Sequence, residues 1–173
     1  MPSKSQSKVS IKEIAVFGML GALMFASKKL MEAIPNVHLL GVFIIAMTVV
    51  YRFKALYPIY IYVLLDGIFL GFSPWWTPYL YIWTLLWGAA MLLPRNMPKE
   101  LAVPVYMTLN GLHGLLFGTL YAPAHALFFH LSLKATVAWI IQGLPYDAIH
   151  GASNLICGLL IVPMIGIMKK YGT

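Results

Sequence analysis

Gly143-Leu-Pro-Tyr-Asp-Ala-Ile-His-Gly-Ala-Ser-Asn154 opens a strongly apolar run that continues to Met168. Pro145 suits the first turn of a helix, where its missing N–H costs nothing. At about 100° per residue, Tyr146, Asp147, His150, Ser153 and Asn154 share an arc of roughly 120°. The rest of that surface is Ala, Ile, Leu and Val. Hydrocarbon cannot satisfy such a polar wedge, so the wedge must face protein or a water-filled cavity. The spacing predicts a membrane helix whose polar stripe forms one wall of a small-molecule site.

The rest of the chain agrees with a membrane setting. Of its 173 residues, 61% are hydrophobic and 10% are charged. Soluble domains of this size carry about 25% charged residues. The composition implies an integral membrane protein of one domain, residues 11–170, behind a polar tail at 1–10. Apolar segments recur throughout, so a signal peptide on a soluble protein is excluded. Cys157 stands alone and forms no disulfide within the chain. The net charge of +7 does not point to nucleic acid, because the basic residues lie in ones and twos at segment ends.

Six spans are expected, at about 11–34, 39–51, 58–72, 76–93, 103–129 and 146–168. Pro123 is the expected kink in the fifth. Residues 131–142 are amphipathic and are expected to lie at an interface or fold back. With both termini inside, the inner loops hold Lys4, Lys8, Lys12, Arg52, Lys54, Arg95, Lys99, Lys169 and Lys170. Lys28, Lys29 and Lys134 remain outside, which is a positive-inside bias. The outer half then gathers Glu32, His38, the Pro74-Trp-Trp-Thr-Pro78 turn, His125, His130 and the Tyr146–His150 segment.

Several groups qualify for chemistry. Asp147 and His150 are three apart and meet on one face, suited to a polar ligand. Alternatively, Asp147 in a first turn satisfies helix N–H groups. Tyr79, Trp83 and Trp87 share a face; the two tryptophans are either stacking walls for a flat ligand or core and lipid contacts. His125, beside Pro123, points into the cavity or sits at the headgroups. His113 and Asn110 read as interhelical hydrogen-bonding residues. Asp66 is an intramembrane carboxylate, hence a functional candidate or a packing pair. Gly18, Ala22 and Ala26 form one small-residue stripe, and Gly114, Gly118 and Ala122 another; each suits internal packing or docking of a partner. No phosphate-binding Gly-x-x-x-x-Gly-Lys motif, zinc motif or Gly-x-Ser-x-Gly setting occurs.

Ala22-Leu-Met-Phe-Ala26 and Leu144-Pro-Tyr-Asp-Ala-Ile-His-Gly-Ala-Ser-Asn154 resemble motifs of the substrate-binding S components of energy-coupling factor (ECF) transporters. Those are vitamin-uptake systems of prokaryotes. The resemblance covers nearly the whole chain. It implies an all-α bundle of six transmembrane helices in the plasma membrane, with both termini cytoplasmic. It further implies docking through Gly18, Ala22 and Ala26 on a transmembrane coupling subunit. Two partner ATPase subunits would hold ATP and Mg, while this chain binds no cofactor and no metal and is not an enzyme. Tyr146, Asp147, His150 and Asn154 would be substrate residues, with Trp83, Trp87 and His125 beside them.

The candidate pocket residues suit a small, flat, water-soluble heterocycle of pyridine, pyrimidine or flavin type. The resemblance makes thiamine less favoured, since the fourth helix carries no acid. Nickel and cobalt are less favoured too, since Met1-Pro2-Ser3 lacks the histidine motif of those members. Two other functions compete. A proton-coupled carrier would use Asp66, but would want an inverted repeat, and the halves show none. A small membrane enzyme would use Asp147 and His150 as acid and base, but would want a second cluster.

Overall fold

The computed structural model describes residues 9–171. The expected tail at 1–10 therefore lies almost wholly outside the described residues, as do Lys4, Lys8 and Met1-Pro2-Ser3. Among the described residues the regular secondary structure is all helix, with no strand. It has eight α-helices: α1 (Ile11–Met31), α2 (Leu40–Tyr51), α3 (Leu56–Leu70), α4 (Tyr79–Met91), α5 (Lys99–Leu115), α6 (Phe117–Phe128), α7 (Leu133–Cys157) and α8 (Ile161–Tyr171). Short 3₁₀ turns link α2 to α3 and α7 to α8.

Four continuous helical stretches are long and apolar enough to cross a membrane: Ile11–Met31, Leu40–Leu70, Lys99–Phe128 and Leu133–Tyr171. Leu40–Leu70 is not one rod. Arg52 has φ 55°, and the chain reverses there. The reversal shows in the neighbours of α1. Phe17 packs on Tyr51 at the end of α2 and on Tyr57 at the start of α3. Near the other end of α1, Lys28 reaches Asp66, late in α3. So α1 and α3 run parallel, with α2 antiparallel to both. Taken singly, α2 and α4 have 12 and 13 residues, about 20 Å of helix against a ~30 Å hydrocarbon core.

Local sequence accounts for the helix ends. Ser10 and Glu13 form a capping box at the start of α1. Gly71, at φ 90°, ends α3 in a conformation that costs glycine little. Ser132 caps α7 through the Ala135 N–H.

That last cap corrects an expectation. Residues 133–142 do not form a separate segment that folds back, since 133 onward belongs to one continuous helix reaching Cys157. Pro145 lies in its interior, not in its first turn. The expected kink at Pro123 also lies elsewhere. Pro123 is inside α6, and the break between α5 and α6 falls at Leu116 (φ −93°, ψ 0°).

The core is built around α2. Its sequence is apolar on every side, and ten of its twelve residues are buried. Around it stand α8, α4, α5 and α1. On α1, by contrast, the buried residues are Phe17, Gly21 and Met24. Much of the outer surface is apolar, including Ile11, Leu30, Phe69, Leu127 and Ile156, as expected where the solvent is lipid. The bundle has two polar ends. One carries Lys54 paired with Glu13, Arg95, Lys99 and Lys169, and is the basic end. The other carries the 32–39 and 71–78 connections.

Candidate functional site

At the 32–39 end, a cavity of about 220 Å³ lies between the α1–α2 connection and the helices beneath it. Lys28 and Glu32 form one side, and Asn36 and His38 the connection itself. Tyr79, Phe117 and His150 supply the helix walls. Asn36 holds the connection down, its carbonyl accepting the Ser153 hydroxyl at 2.8 Å. Asn36 has φ 61°, a left-handed conformation asparagine tolerates.

Aromatic rings close the site from below. Trp83, 1% exposed, packs against Tyr79, Phe117, His113 and the edge of His38. The His38 and His150 rings meet edge to face, 4.7 Å between centroids. His38 Nδ1, His150 Nε2 and Trp83 Nε1 are buried and have no hydrogen-bond partner within the chain. Buried polar atoms normally have partners; two of these three belong to residues that line the cavity. Burial pushes the His38 imidazole down to about 3, and His150, His113 and Lys28 push the same way. His38 is therefore neutral at pH 7, offering one donor and one acceptor.

Lys28 brings charge to the rim. Its ammonium lies 2.7 Å from Asp66 Oδ1, and Asp66 is 1% exposed. The same ammonium sits 5.0 Å from the Tyr79 ring centroid, within cation–π range. The site thus combines aromatic faces, two imidazoles and an ammonium paired with Asp66. That set can hold a small polar ring by stacking and hydrogen bonding.

The residues expected from the sequence are distributed unevenly. His150 lines the cavity, and Trp83 lies directly behind its wall. Asn154 is fully buried one turn along α7, its backbone carbonyl accepting from Asn110 Nδ2 at 2.7 Å. Asp147 is buried and turned away from the cavity, both carboxylate oxygens accepting the Gly118 N–H at 3.0 and 3.2 Å. It caps α6 across the helix pair. Its expected place in a first turn of its own helix is thereby corrected. Tyr146 is 64% exposed and lies off the buried stripe. Trp87 sits toward the basic end, donating to the Arg52 carbonyl at 3.1 Å. His125 does not line the cavity; it stacks on Trp139, 4.5 Å between centroids, among Trp75 and Phe129, a group that Tyr121 joins to Phe117 and Tyr79.

Gly114 and Gly118 prove to be internal packing residues. A Cβ at Gly114 would lie 2.8 Å from the His150 carbonyl oxygen, and one at Gly118 would meet the Asp147 carboxylate. Gly18, Ala22 and Ala26 lie away from α3; both alanines are exposed, and a Cβ at Gly18 would meet nothing within 4 Å.

Lys28, Tyr79, Phe117 and His38 are cavity residues missing from the sequence-derived site. One signal was available for Lys28: Asp66, alone in an apolar segment, needs a cation. Phe117 gave none, because an aromatic in an apolar run reads the same at a site or against lipid. Among the described residues, no group of three or more His, Cys, Asp or Glu side chains is placed to hold a metal ion. The chain matches no protein-family model, and comparisons with curated proteins and with solved structures return no match.

Proposed function

We propose that this protein is the substrate-capture subunit of an ECF-type, ATP-driven importer in a prokaryotic plasma membrane. The observation that carries the reading is the cavity beneath the 32–39 connection, lined by His38 and His150, each with a buried ring nitrogen that has no partner within the chain. On this reading the helices make six membrane crossings: α1, α2, α3, α4, α5 with α6, and α7 with α8. Both termini then lie on the basic, cytoplasmic side, and the cavity opens outward.

The size of the cavity narrows the ligand. About 220 Å³ lies below the 300–1,000 Å³ of sites for drug-sized molecules. That volume favours a single-ring heterocycle over a tricyclic flavin. The aromatic walls stack on the ring, while His38, His150 and Lys28 read its polar atoms. The exposed face of Gly18, Ala22 and Ala26 supports docking on a coupling subunit, because small residues let another helix approach closely. ATP and Mg belong to two partner ATPase subunits on this reading.

The test is reconstitution. The purified chain alone should bind one heterocycle without turning it over. Vesicle uptake should require added coupling and ATPase subunits with ATP. Ala26→Trp should abolish that uptake and leave binding in detergent unchanged; uptake that survives removes α1 as the docking face.

A second reading rests on the buried Lys28–Asp66 pair, an ionisable couple of the kind found in proton-coupled carriers. Uptake by the chain alone, driven by a proton gradient without ATP, selects it.

A further inference from the structure

The basic end of the bundle holds a second recess, of about 470 Å³, larger than the cavity at His150. Three cations line it: Arg95 from the α4–α5 connection, Lys99 at the start of α5, and Lys169 in the last turn of α8. All three are exposed, and among the described residues none is in a salt bridge. Glu100, in the same first turn as Lys99, does not line the recess. The α5 helix begins there without a side-chain cap, so its positive end adds to the field. The deep wall is different in kind. Ala102, Tyr106 and Ile165 are buried and form its apolar part.

Three convergent cations beside an apolar wall select a ligand with one anionic group joined to hydrocarbon. A soluble phosphate satisfies the cations alone. A zwitterionic lipid satisfies the wall and cancels its own charge. We propose that this recess binds an anionic phospholipid, its phosphate against Arg95, Lys99 and Lys169 and one acyl chain along Ala102, Tyr106 and Ile165. Basic side chains at a bilayer surface attract anionic headgroups; here they converge on a shaped site. The inference does not depend on the transport reading, only on the bundle being embedded in lipid.

The experiment is native mass spectrometry and thermal melting of the purified chain with phosphatidylglycerol, phosphatidylcholine or inorganic phosphate. Phosphatidylglycerol should be retained about tenfold over phosphatidylcholine, the order expected for one or more basic contacts, and should raise the melting temperature. Inorganic phosphate should not raise it. The triple change Arg95→Gln, Lys99→Gln and Lys169→Gln should erase the lipid preference. Lys134→Gln, at the opposite end, should keep it. If the triple variant melts lower without lipid, Arg95→Gln alone is read instead and should reduce the preference several-fold. Equal retention of the two lipids overturns the proposal. So does a preference that survives these changes. Stabilisation by inorganic phosphate equal to that by phosphatidylglycerol overturns the lipid assignment and makes the recess a free-anion site.

Discussion

Lys28 carries its charge into an apolar setting because Asp66 lies 2.7 Å away. The two partners are not equivalent. Lys28 stands near the rim and has a flexible stem, whereas Asp66 is 1% exposed. Lys28→Met therefore strands a buried carboxylate, and should cost about 3–5 kcal/mol. Asp66→Asn should cost less, because Lys28 can turn outward. Adding Asp66→Leu to Lys28→Met should restore most of the loss, read as melting temperature in detergent. A double variant as unstable as Lys28→Met would show that the pair itself is not what Lys28→Met disturbs.

His38 gives a pH signature at the same scale. Its folded value is held at about 3 by burial first, then by His150, His113 and Lys28. An unfolded histidine takes its proton near 6.5. Between those values the unfolded chain binds the extra proton, so stability is full above about pH 6.5 and falls as pH drops toward 3. His38→Gln should flatten that part of the pH–melting profile; an unchanged slope would place its origin elsewhere. The burial of Asp147, His150 and Asn154 was legible in the sequence, since polar groups on an apolar helix have few other places to go. The direction each side chain takes was not. Asp147 turned to the Gly118 N–H because the α5–α6 break exposes that donor, and no local pattern announces the break.

At the scale of the element, α7 governs the site. It runs antiparallel to α5 and α6, and glycines allow the close approach: Gly111 and Gly114 on one side, Gly151 on the other. Gly114→Ala would place a methyl 2.8 Å from the His150 carbonyl oxygen and 2.9 Å from Asn154 Nδ2. Backbone cannot yield as a flexible side chain can, so a loss of about 1–3 kcal/mol is expected. Ligand affinity should fall with it, because the shift moves His150. Gly18→Ala, with nothing within 4 Å, should leave the melting temperature nearly unchanged or slightly raised. Equal effects of the two changes would contradict the packing account. Pro145 shows why α7 was misread. In water an interior proline ends or bends a helix; in a lipid-exposed bundle the alternative to helix is unsatisfied backbone, and the helix continues.

For the whole molecule, the helical class and the apolar exterior follow from the composition together with the long apolar runs. The break at Leu116 and the start of α7 at Leu133 do not, whereas the reversal at Arg52 does, since Arg52 and Lys54 separate the expected spans 39–51 and 58–72. The same reversal brings α1 and α3 side by side, so that Lys28 and Asp66 meet under the 32–39 connection. That long-range meeting, with His38 delivered from above and His150 from α7, makes the cavity. The most direct measurement of the central claim is native mass spectrometry of the purified chain beside its His150→Ala variant. The wild-type protein should carry one small heterocyclic adduct that the variant, folded equally well, has lost. A wild-type protein with no adduct after incubation with candidate heterocycles, or the same adduct held equally by both proteins, would contradict a ligand site at His150.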